Sequence, residues 1–108
     1  MQGSTHGPPA AAAVSAQVTV LMARAEEFLA LGDIAAARLL YERAAESGSG
    51  RAMTALGKTY DPEFLDRTKA VGIRPNPAAA ADWYRKAIAF DDTQAAFCNE
   101  RLKAIGPQ

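Results

Sequence analysis

At 108 residues and 49% hydrophobic content the chain suffices for one small domain, although much of its apolar content is alanine, which buries little area per residue. Twelve Lys and Arg balance twelve Asp and Glu. This leaves neither the basic field that holds a phosphate backbone nor an acidic solvating tail, and argues against nucleic acid as a partner. Cys98 is the sole cysteine and His6 the sole histidine, so an internal disulfide and a Cys/His zinc site are both excluded.

Residues 1–14 (MQGSTHGPPAAAAV) place Gly and paired Pro before an alanine run and offer nothing to bury. They predict a disordered head or linker, with His6 a solvated tail residue rather than a metal ligand or acid–base group. The head lacks the basic start of a signal peptide, and no apolar run approaches the roughly 18 residues that span a membrane. Cytoplasm is the default location, and the cell envelope the alternative if the head links the domain to a longer secreted or anchored protein.

Ser15 can cap a helix running to about Leu31, with Val18, Leu21, Met22, Ala25, Phe28 and Leu29 at helical spacing. Gly32 and Asp33 then supply a left-handed stop and a new cap. Ile34, Ala37, Leu40, Tyr41 and Ala44 form the apolar face of a second helix, and so short a link makes the pair an antiparallel hairpin, 15–48. Gly48-Ser49-Gly50 breaks that helix, and a third begins near Arg51 with Ala52, Leu56, Gly57 and Tyr60 on its face. Gly57 inside a helix costs roughly 1 kcal/mol against Ala, which a close approach by a neighbouring helix would explain.

Asp61-Pro62 ends the third helix and opens a long connection, 61–75, carrying Phe64, Leu65, Val71 and Ile73 among charges. Two readings of it stand: a short helical turn folded back on the core, or a loop presenting Phe64 and Leu65 to a partner. Asn76 and Pro77 start a helix that runs to about Phe90, with Ala80, Trp83, Tyr84 and Ala87 in one stripe. This completes a second hairpin, 51–90. Asp91-Asp92 can cap a last helix, 93–105, whose face is Ala95, Cys98, Leu102 and Ile105. Cys98 in an apolar stripe reads as a core thiol.

The set Gly72, Ile73, Asn76, Ala80, Trp83, Tyr84 and Ala87 resembles the signature of the Sel-one-like repeat, a helix pair related to the tetratricopeptide repeat. Leu21, Ala25, Phe28, Gly32, Ala37, Tyr41 and Ala44 fall at tetratricopeptide spacing, with Arg24 where Leu is usual. Ala44, Gly48, Ala52, Leu56, Gly57 and Tyr60 match the family's junction between repeats. The connection 61–75 is longer than the family's, and Asn99-Glu100 replaces its Leu-Gly pair, as suits a final cap. The resemblance implies an all-α domain over 15–106: antiparallel helical hairpins stacked as a short right-handed solenoid of about two repeats plus a C-terminal capping helix.

Catalysis is not expected, because the predicted folded part has no histidine to serve as base, no Gly-rich phosphate loop and no separated carboxylate pair. No cofactor is implied. In families of this kind the first helix of each hairpin lines a concave surface that binds peptides or partner helices. Carried onto this sequence, that surface is Thr19, Met22, Glu26 and Leu29 on the first helix and Arg51, Thr54 and Lys58 on the third. The expected function is a non-catalytic protein–protein interaction module. The alternative is a structural or assembly domain of a larger protein, forming a homodimer or docking neighbouring domains, since about two repeats are near the minimum for a solenoid.

Overall fold

The computed structural model describes residues 10–68, 70–90 and 92–108. It is all-α: α1 (Ala10–Ala30), α2 (Ile34–Glu46), α3 (Gly50–Tyr60), α4 (Pro62–Thr68), α5 (Pro77–Phe90), a 3₁₀ turn (Asp92–Gln94) and α6 (Ala95–Ile105), with no strand among the described residues.

The first helix starts earlier than the Ser15 cap predicts. Residues 10–14, assigned to the disordered head, are helical, because alanine is the best helix former and a run of it extends a helix backwards. Ser15 therefore sits inside α1, where its carbonyl accepts from the Thr19 hydroxyl at 3.0 Å. Residues 1–9, His6 among them, lie outside the described residues.

Two corners share one device. At the end of α1, Asp33 N–H donates to Phe28 O (2.8 Å) and Gly32 N–H to Leu29 O (2.9 Å), which satisfies two carbonyls of the last turn. Gly32 takes φ +83°, and Asp33 Oδ1 accepts from Ala36 N–H at 3.0 Å to start α2. At the end of α2, Gly48 and Ser49 repeat this pattern, with Ser49 Oγ accepting from Ala52 N–H at 3.1 Å. Each corner reverses the chain within three residues, so consecutive helices must lie side by side.

The packing follows chain order: α1 on α2, α2 on α3, α3 on α5 and α5 on α6. Small residues occupy the crossings. Ala25, Ala37, Ala44, Ala52, Ala80 and Ala87 are all fully buried, while Tyr41, Leu56 and Tyr84 fill the spaces beside them. An Ala37→Leu change should overpack the α1–α2 crossing and lower stability by about 1–3 kcal/mol, read as a shift of the urea midpoint at unchanged slope. Arg38, half-buried on α2, donates through Nε to the Thr59 hydroxyl (3.2 Å) and through Nη2 to the Thr59 carbonyl, and its guanidinium lies 3.7 Å from the centre of the Tyr60 ring. It thereby ties α2 to the last turn of α3.

The connection 61–75 is not simply a loop. It contains α4, whose start is held by Asp61: Oδ1 accepts from Glu63 N–H (3.0 Å) and the carbonyl from Leu65 N–H (3.0 Å). Leu65 is only 6% exposed, so it docks inward as the first of the two readings expects and is withdrawn from the partner-contact set. The chain returns where Asn76 N–H donates to the Tyr60 carbonyl at 2.8 Å, and the Asn76 side chain caps α5 through Ala79 N–H at 3.0 Å.

The last helix also departs from expectation. The helix expected from residue 93 begins at Ala95, behind the 3₁₀ turn, and Gln94 supplies no side-chain cap. The cap expected from the Asp91-Asp92 side chains lies outside the described residues. A tighter i→i+3 turn can satisfy amides that a capping carboxylate would otherwise serve.

Candidate partner-binding groove

Helices α1, α2, α3 and α4 and the 3₁₀ turn surround a hollow of about 350 Å³. From α1 come Met22, Glu26 and Leu29, spaced so that all three project from one side. Along α3 run Arg51, Thr54, Ala55 and Lys58, again one face of a helix. Tyr41 closes the bottom, and Phe64 and Gln94 close one end.

The groove thus gathers every predicted partner-contact residue except Thr19 and Leu65. Thr19 lines an adjoining hollow of about 390 Å³, which shares Arg51 with the first. Leu65 is buried beneath α4. Two of the gathered residues differ from expectation in exposure: Met22 (5%) and Thr54 (2%) form the floor rather than the rim. The Thr54 hydroxyl lies 3.4 Å from Cys98 Sγ in the interior, which bears out Cys98 as a core thiol. Glu26 and Arg51 are exposed, and neither they nor Lys58 joins an ion pair among the described residues. Lys58 Nζ instead sits 4.8 Å from the centre of the Phe97 ring on α6.

Three lining residues escaped the sequence reading. Tyr41 was placed as a packing residue, and its ring is indeed buried. Burial pushes its hydroxyl up to about 12, with the Glu26 charge adding to this and Arg51 opposing it. At neutral pH the hydroxyl is therefore a standing hydrogen-bond donor on the groove floor. Gln94 arrives from the far end of α5 and Ala55 carries no chemistry, so nothing local marked either.

A second cluster was missed altogether. Asp61 is 1% exposed; its Oδ2 accepts from the Tyr84 hydroxyl (2.8 Å) and Arg101 Nε (2.7 Å), and its Oδ1 from Arg101 Nη2 (2.8 Å). Arg101 Nη1 also reaches Glu63 Oε1 at 2.8 Å. Burial by itself would raise the Asp61 carboxyl, but the hydrogen bonds from Arg101, Tyr84 and Glu63 N–H outweigh it and hold the carboxyl below its ordinary range. Burial and the Asp61 carboxylate push the Tyr84 hydroxyl far up, and Asp61 does the same for Arg101. The members satisfy one another, so the cluster acts as a latch between α3, α4, α5 and α6.

Among the described residues no group of three or more His, Cys, Asp or Glu is placed to hold a metal ion, and no helix is long and apolar enough to cross a membrane. No protein-family model, curated protein or solved structure matches the chain. The repeat resemblance therefore stands on the residues that carry it.

Proposed function

We propose that the chain is a non-catalytic protein–protein interaction module of the Sel-one-like, tetratricopeptide-related kind, which binds a peptide or partner helix in the groove between α1 and α3. One observation carries the reading: side chains from α1, α3 and α4 that the resemblance and the long connection single out converge on one hollow, and its charges Glu26, Arg51 and Lys58 form no ion pair among the described residues. The lining suits a short segment of mixed charge. A basic side chain would meet Glu26, an acidic one would meet Arg51 or Lys58, and apolar side chains would lie over Met22 and Leu29.

Binding to an immobilised peptide library, followed by titration of the selected sequences, tests this. Charge reversals Glu26→Lys, Arg51→Glu and Lys58→Glu should each weaken a selected peptide about tenfold, or ~1.4 kcal/mol, and raised salt should weaken the wild type. Met22 is unsuitable for such a test, since a charge there would disturb the core. Selected peptides that ignore all three reversals would refute the groove as the site. The alternative reading, an assembly domain, draws support from a different surface, the outer side of the α1–α2 hairpin.

A further inference from the structure

The α1–α2 hairpin is apolar on two sides. Its inner side supplies Met22, Ala25, Ala37, Tyr41 and Ala44 to the core. A second stripe runs along α1 through Val20, Leu21, Arg24 and Phe28, and another along α2 through Ala36, Leu39, Leu40 and Arg43. At about 100° per residue, Val20 and Arg24 lie roughly opposite Met22 and Glu26 around α1, so this face points away from the groove.

The face has relief. Leu21, Phe28 and Leu40 are partly buried and form its floor, while Val20 (59% exposed) and Leu39 (64% exposed) stand proud. Two hollows of about 430 and 490 Å³ lie beside those two knobs and meet at Arg43. Around the larger hollow stand two cations, Arg24 and Arg43, and two anions, Glu42 and Glu46. None of the four joins an ion pair among the described residues.

We propose that this face is a two-fold interface with a second copy of the chain. In a two-fold contact residue i meets j while j meets i, so a surface must complement itself in shape and in charge. Paired knobs and hollows meet the first condition: Val20 and Leu39 of each copy enter the hollows of the other. A rim that carries both signs around the larger hollow can meet the second, whereas a rim of one sign would repel its own copy. This develops the assembly reading and does not depend on the groove.

Sedimentation velocity of the whole chain over a concentration series should give twice the monomer mass. Val20→Glu and Leu39→Glu, both at exposed positions, should each abolish the dimer while helical circular dichroism and peptide affinity stay unchanged. A second pair of variants covers the case in which those fail to fold. An Arg24→Glu/Arg43→Glu chain and a Glu42→Arg/Glu46→Arg chain should each be monomeric alone and associate one-to-one when mixed. A wild type that is monomeric at every concentration overturns the proposal. So does a dimer that survives both Val20→Glu and Leu39→Glu, or charge variants that remain apart when mixed.

Discussion

An Asp61→Ala variant is expected to lose about 3 kcal/mol of stability, near the low end of what breaking a buried ion pair costs. The change strands the Tyr84 hydroxyl in the core and removes both carboxylate oxygens from the Arg101 guanidinium, whose side chain is 14% exposed. Arg101 keeps Glu63, which is why the lower figure applies. Urea denaturation measures the loss, and replacing both partners (Asp61→Leu with Arg101→Met) should recover much of it, because no buried charge is then left unpaired. A double variant as unstable as the sum of the singles would show that the latch is not a coupled unit.

Acid sensitivity follows from the same cluster. The folded-state pKa of Asp61 lies below its ordinary value of 3.8. Between the two values the unfolded chain binds more protons than the folded one, so stability rises with pH across that window. The contribution is complete above the unfolded value and disappears as pH falls through the folded one. Thermal unfolding from neutral to strongly acidic pH should therefore show a shallower acid limb in Asp61→Asn than in wild type.

Gly57→Ala should also be costly, by about 2–3 kcal/mol, although alanine gains roughly 1 kcal/mol of helix propensity at an ordinary position. A Cβ at Gly57 would lie 2.6 Å from Cδ1 of the Tyr84 ring. That ring cannot swing aside: it is fully buried, its hydroxyl is held by Asp61, and it packs edge-on against Phe97 with ring centres 5.9 Å apart. In a Tyr84→Leu background the same substitution should become neutral or favourable. If Gly57→Ala melts at or above the wild-type temperature, the close α3–α5 contact is not what keeps glycine there.

These two sites differ in how far they could be read in advance. Gly57 is anomalous in its own helix, because a glycine amid Ala and Leu at helical spacing asks for a close neighbour, and Tyr84 is that neighbour. Asp33 and Asn76 were likewise legible as caps, since a cap bonds an amide three residues on. Asp61 looked like nothing more than the residue before a helix-ending proline. Its partners stand 23 and 40 residues away, at separations where no periodicity links them. Arg38 on Thr59 is hidden in the same way, 21 residues apart.

Side-chain size and spacing along the chain were enough to specify helices, their corners and which stripe of each turns inward, because all of these depend on neighbours within about one turn. The residues of the groove on α1 and α3 were singled out by the repeat resemblance; spacing adds only that those on one face of a helix share a direction wherever the helix is placed. Tertiary contact decided the rest. It decided that residues 61–75 contain a docked helix, that Met22 and Thr54 lie on a floor rather than a rim, and that α6 is held by a buried charge pair. Burial and ion pairing depend on which distant segments meet, and that is settled only when the helices pack.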